Sequence, residues 1–211
     1  MQRLEDCPLP KHDLRNGHLN QKAYSFYLFI RDVCKGDIIA FIDNIVNANI
    51  VQPPKGTGVA DARDELVAEV SNVYGVGNKL ASMALSNLLM CDRRKKRWNV
   101  VGQSMIAVDG LVHNLLHRTG ILKLYAAEHK YGNKCGKLCV KVIDDLAHDI
   151  DTRQFNEKYP QYFPMFVRNS LWSFCSESER NICSKKPNPT TGLCRKQGIC
   201  PIYESCPKIA L

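Results

Sequence analysis

Apolar residues recur at helical spacing along most of the chain, and no stretch alternates as a half-buried strand would. Phe26, Phe29, Ile30 and Val33 predict one amphipathic helix, and after the Lys35-Gly36-Asp37 break Ile38, Phe41, Ile42 and Ile45 predict a second. Gln52 to Gly58 (QPPKGTG) predicts a loop. Leu66, Val67, Val70 and Val73 mark a helix that enters the turn Tyr74-Gly75-Val76-Gly77. Leu80, Met83, Ala84, Leu88 and Leu89 form the stripe of the helix that leaves it. A further helix carries Leu111, Leu115 and Leu116, opens at Asp109-Gly110 and stops at Thr119-Gly120. The longest apolar stripe runs Cys135, Leu138, Cys139, Val142, Ile143, Leu146, Ile150, and the last one, Phe163, Phe166, Val167, Leu171, leads into Trp172. Beyond about Cys175 the periodicity ends in a Pro/Gly-rich, Cys-rich tail. The expected fold class is all-α.

The 211 residues suffice for one sizeable domain or two small lobes. A share of 45% hydrophobic and 24% charged residues is that of an ordinary globular protein. No apolar run is long enough to cross a membrane, and Met1 to Asn20 lack the core of a signal peptide. The expectation is therefore a protein of the cytoplasm or, in a nucleated cell, the nucleus. A net charge of +8 turns attention to a polyanionic partner, nucleic acid first. Ten cysteines without an export signal point to metal ligation or core packing rather than disulfides.

The Gly-x-Gly turn is the first candidate for chemistry. Gly75 and Gly77 supply backbone positions that a Cβ would obstruct, and Ala81 permits close helix approach. The turn leaves amide N–H groups at the start of the next helix, where they and the helix dipole favour a phosphate. An ordinary turn with no ligand is the alternative. Lys79 lies just inside that second helix, and Asp109 precedes a later one, where it also suits an ordinary N-cap.

Val76-Gly77-Asn78-Lys79 followed by Val108-Asp109 resembles the helix-hairpin-helix DNA glycosylase superfamily, above all its endonuclease III and oxoguanine glycosylase branches. The resemblance covers about Leu66 to Gly120 and returns in the tail. It implies a two-lobed helical fold with the damaged nucleotide held in a cleft between the lobes. It also implies that the partner is double-stranded DNA with a damaged or mismatched base, and that the enzyme acts as a monomer. Lys79 would attack C1′ of the sugar and Asp109 would stabilise charge developing there, while Gly75, Val76, Gly77 and Asn78 held the DNA backbone. A nucleophilic lysine must lose its proton near neutral pH. The helix N-terminus contributes too little to achieve this and Asp109 opposes it, so Lys79 is expected to be enclosed. Two other readings stay open: a monofunctional uracil or thymine mismatch glycosylase, and a non-catalytic DNA-binding module.

Cys91 to Trp98 (CDRRKKRW) looks like an insertion relative to that family. Arg93, Arg94 and Lys95 are candidates for following a DNA strand, with Trp98 stacking on a base or plugging the lobe junction, or the segment is a solvated loop. His113 and His117, four apart on one helix, have the spacing of a zinc pair, but with no acidic or cysteine partner evident they read as surface or groove histidines, and Cys135 and Cys139 as small buried hydrophobes. Cys183, Cys194, Cys200 and Cys206 resemble the four-iron four-sulfur (4Fe–4S) loop of endonuclease III-type enzymes, with wider spacing, zinc as the alternative metal and Cys175 as a spare ligand. The expected organisation is an N-terminal segment (1–20), a lobe with the hairpin and Asp109 (21–132), a second lobe (133–182) and the metal-cluster loop (183–211).

Overall fold

Helical spacing becomes helix in the computed structural model, which describes residues 18–50, 58–183 and 198–210. Among these there are nine α-helices and no strand. They are α1 (Leu19–Leu28), α2 (Ile38–Asn49), α3 (Val59–Ser71), α4 (Asn78–Met90), α5 (Lys96–Gln103), α6 (Gly110–Arg118), α7 (Ile121–Leu124), α8 (Leu138–Asp149) and α9 (Pro164–Cys175). A π-helical turn (Phe29–Val33) continues α1, and 3₁₀ turns fall at Asn133–Gly136 and Thr152–Gln154. The chain divides into two compact units, Met1–Met105 and Ile106–Leu211. No described helix is long and apolar enough to cross a membrane.

In the first unit, Phe29, Ile42, Val46, Leu66, Val73, Leu85, Leu89, Trp98 and Val101 close one core. Asp37 starts α2 by accepting the Ala40 N–H at 2.9 Å. Gly58 starts α3 in the left-handed region (φ +88°), and a Cβ there would lie 2.0 Å from the Asn49 carbonyl oxygen. Only glycine fits that corner.

Two apolar stripes differ from those the sequence predicts. At the end of α1 the π-helical turn breaks the four-residue spacing, so Leu28 and Phe29 are buried while Phe26 and Val33 are exposed. In α4 the buried face is Ala81, Ser82, Leu85, Ser86 and Leu89, while Leu80 and Met83 are exposed. Close approach decides this. A Cβ on Gly102 of α5 would stand 2.9 Å from the Leu89 Cβ and 3.3 Å from the Ser86 carbonyl, so α5 packs on the side of α4 where the small residues lie.

The basic run that leads into α5 is partly tied down. Trp98 is buried, its Nε1–H donating to Asp43 Oδ1 at 2.6 Å. Lys95 reaches the same carboxylate at 2.9 Å and lies over the Trp98 ring, its Nζ 3.8 Å from the centroid. Arg97 donates to Asn47 Oδ1 at 2.8 Å, and Arg94 pairs with Asp92. Trp98 is thus a core residue and not a base-stacking one, because its one donor and its ring are both engaged within the unit.

In the second unit, Ile106, Val112, Leu116, Leu122, Cys139, Val142, Ile143, Ala147 and Val167 form a separate core among α6, α8 and α9. The stripe from Cys135 to Ile150 faces it as the spacing predicts.

Replacement Asp43→Ala strands the buried Trp98 N–H. The unfolding free energy from urea titration should fall by about 1–3 kcal/mol, and Asp43→Asn should recover part of it.

Candidate metal centre and the helix that carries it

α6 and its cap residue bring three chemistries onto one short helix. At its start Asp109 has extended backbone, and its Oδ1 accepts the Val112 N–H at 3.0 Å. The expected N-cap is therefore present. The loop leading to Asp109 is held by Arg168 of α9, whose buried Nε donates to the Ala107 carbonyl at 2.5 Å. Burial pulls the Arg168 guanidinium below its usual pKa, and the Asp109 carboxylate opposes that shift. Sequence reading missed Arg168. A lone arginine in an apolar helix gives no local sign of the carbonyl it will meet sixty-one positions away.

One turn on, His113 is buried, and its backbone N–H bonds the Asp109 carbonyl at 3.0 Å. It is a buried histidine and not the surface or groove one expected. His113 meets His129, Cys135 and Cys139, and the ligand atoms of the four side chains all lie within 4.8 Å of one another. His113 Nδ1 is 3.4 Å from Cys139 Sγ and 3.5 Å from Cys135 Sγ, and His129 Nε2 is 3.3 Å from Cys135 Sγ and 3.4 Å from Cys139 Sγ. This His2Cys2 group could hold a metal ion such as zinc. Cys135 and Cys139 are buried, as expected, but their sulfurs face imidazoles rather than only apolar neighbours.

Burial, with His129 and His117 nearby, lowers the pKa of His113 to about 4. Burial, then Cys135, pushes the Cys139 thiol up to about 12. Both shifts describe polar groups crowded together in a dry place. The His129 ring is fixed by its Nδ1–H, which donates to the Ala127 carbonyl at 2.7 Å and turns Nε2 toward the group. The Gly132 N–H points at Cys135 Sγ, 3.4 Å away.

At its far end α6 meets the cysteine tail. Arg118, also buried, reaches the Cys183 carbonyl at 3.5 Å and its Sγ at 3.8 Å, and the Arg118 carbonyl accepts from Cys206 Sγ and Ile209 N. His117, half-buried, donates from Nε2 to the Ala210 carbonyl at 2.8 Å. The Cys175 thiol hydrogen-bonds Cys183, which lowers the Cys183 pKa and raises that of Cys175. Cys194 lies outside the described residues. Among the described residues the side chains that converge as a metal-binding group are the His2Cys2 set, not four tail cysteines.

In the first unit, the hairpin lies between α3 and α4, which pack on each other. Gly75 takes the left-handed conformation (φ +70°) over the Lys22 side chain, whose Cε would lie 2.4 Å from an added Cβ. Gly77 is extended and open, so a Cβ there would meet nothing. The turn requires one glycine and not two. Ser25 of α1, fully buried, accepts the Tyr74 N–H at 2.9 Å and braces the turn from below. Val76 donates to the Val73 carbonyl, and Asn78 accepts from Ser71 Oγ. Lys79 stands exposed on the first turn of α4, against the enclosure expected for it, because its neighbours there, Asn78 and Leu80, are exposed too. Arg93 and Arg94 are exposed, whereas Lys95 is committed to Asp43.

No family model, curated protein or solved structure matches the chain.

Removing the cap should separate the structural and electrostatic parts of Asp109. Asp109→Ala should lower the unfolding free energy by about 1 kcal/mol, while Asp109→Asn should stay within about half of that, both read from thermal melts.

Proposed function

We propose that this chain is a DNA N-glycosylase with AP-lyase chemistry, acting on duplex DNA that carries a damaged base, an oxidised one in the first instance. The observation that carries the reading is the α3–α4 hairpin. Gly77 starts α4 with no side-chain cap, at an exposed corner, and Lys79 follows on the same turn. A helix start whose cap residue carries no side chain, with a lysine on its first turn, suits a phosphate of the DNA backbone. Backbone contacts of that kind hold a strand without reading its sequence.

In this reading Asp109 supplies negative charge where the sugar becomes cationic. The C1′–N bond to the base breaks, and its electron pair leaves with the base, which takes up a proton. The neutral amine of Lys79 forms a new bond to C1′. The ring bond to O4′ then opens, its electrons and a proton going to that oxygen, and a protonated Schiff base results. Loss of a C2′ proton expels the 3′ phosphate with its bonding pair. Because Lys79 is exposed without DNA, the desolvation that frees its proton has to come from the bound nucleotide.

The iron–sulfur loop implied by the resemblance belongs to the same proposal. Cys183, Cys200 and Cys206, with Cys194 outside the described residues, would hold the cluster. Support comes from Cys183 and Cys206 both lying against Arg118. The cluster would serve as a scaffold for the tail. A broad visible band with iron and acid-labile sulfide in the purified protein is the expected result, and protein free of iron would remove the cluster from the proposal.

The exposure of Lys79 favours a second reading, in which water attacks the sugar and Lys79 only contacts phosphate. Borohydride trapping on abasic-site duplexes, beside excision assays on duplexes with one lesion each, separates the two. The first reading expects a covalent adduct that Lys79→Gln abolishes, and excision lowered by roughly 10²–10³-fold in Asp109→Asn. Excision without an adduct establishes the second reading. Neither product on any lesion overturns both and leaves a DNA-binding hairpin.

A further inference from the structure

We propose that His113, His129, Cys135 and Cys139 are the four ligands of a resident, structural zinc ion that fixes α6, and with it Asp109, to the 3₁₀ turn and α8. The inference stands on the geometry of the second unit and is independent of the glycosylase reading.

The distances select a single ion. Zinc bonds of ordinary length in a tetrahedron place a ligand nitrogen and a ligand sulfur about 3.6 Å apart. All four nitrogen–sulfur separations fall between 3.3 and 3.5 Å. A two-iron cluster with histidines on one iron and cysteines on the other would hold nitrogen and sulfur much further apart. Hydrogen bonding alone does not account for the arrangement. The Nδ1 proton of His129 is committed to Ala127, which leaves two thiol protons and one on His113 for four contacts. One cation meets all four. The set also follows ligand preference, because tetrahedral coordination by two sulfurs and two nitrogens is zinc chemistry. Four protein ligands fill the sphere and leave no position for water or substrate, which marks the ion as structural.

The surroundings support a clamp. The imidazole of His129 is oriented by a backbone carbonyl and the Cys135 sulfur receives a backbone N–H, as second-shell partners of zinc ligands do. The ligands come from α6, the connection after α7, the 3₁₀ turn and the first turn of α8. That connection has little apolar content of its own, with Glu128, Lys130, Tyr131 and Asn133 exposed. Metal bonds would supply what core packing does not. His113 is joined to Asp109 by a backbone hydrogen bond, so what holds the imidazole also holds the cap residue.

Metal analysis of the full-length protein, purified without chelators and with zinc in the medium, tests this. About one zinc per chain is expected beyond any iron. Cobalt substitution should give the intense visible bands of a tetrahedral thiolate site. Cys139→Ser and His129→Ala should lose this zinc, whereas Cys183→Ser and Cys206→Ser should keep it. Stripping the metal should raise amide exchange across residues 110–118 and 138–149 by at least about tenfold, reversed by added zinc, and leave residues 78–90 unchanged. If variants fail to fold, the cobalt spectrum and exchange of the unmutated protein decide. Protein that neither carries nor takes up zinc or cobalt, or zinc that survives Cys139→Ser and follows the tail cysteines, would overturn the site. Unchanged exchange on stripping would overturn the clamp.

Discussion

Two imidazoles and two thiols converge on one spot with three of the four side chains buried, and taking such polar groups out of water is costly unless each is fully satisfied. The second unit is organised around that spot. Its apolar core continues directly from it, since Cys135 and Cys139 belong both to the polar group and to the stripe that packs α8 against α6 and α9. Polar convergence and apolar packing are two sides of the same residues. The backbone of α6 is therefore located by more than hydrophobic contact, which alone is non-directional.

α6 is short, yet each of its turns is committed. The Val112 N–H of its first turn is satisfied by the Asp109 carboxylate, its middle carries His113, and its end is bound to residues of the tail through Arg118 and His117. A carboxylate at a helix start does not need further support to cap it, but here Arg168 also pins the incoming loop at Ala107. Such over-determination suits a residue whose position matters to a fraction of an ångström. The two units differ in this respect. The first is held by ordinary packing around Phe29, Leu66 and Leu89, with the polar knot of Asp43, Lys95 and Trp98 at one side.

Most helices were legible in the sequence because the apolar spacing is dense and punctuated by Gly, Pro and Asp, and the Asp37 and Asp109 caps stand where the spacing places them, but α5, which starts inside the basic run, and the single turn α7 were not. The buried side of α4 was not legible. Large apolar residues drew the prediction to Leu80 and Met83, while close approach of α5 selects Ala81, Ser82 and Ser86. The His2Cys2 group was hidden for a different reason. Its members are scattered from residue 113 to residue 139, and Cys135 and Cys139 share the period of an apolar stripe. His113 and His117, tested as a pair four apart, point at different partners. A usable signal was the run His129, Cys135, Cys139, whose short spacings suit ligands at a helix start. Trp98 shows the reverse error, in which a tryptophan within a basic run looks like a nucleic-acid contact and turns out to be core.

α1 looks from its sequence like a peripheral amphipathic helix, but it is the seat on which the glycine corner rests. Ser25 accepts from the backbone of Tyr74, and the methylenes of Lys22 fill the space that Gly75 leaves without a side chain. A shortened chain beginning after Leu28 would keep every residue of the hairpin and still lose its shape. Functional dissection of this protein by truncation would then report on a missing foundation while seeming to report on a missing activity.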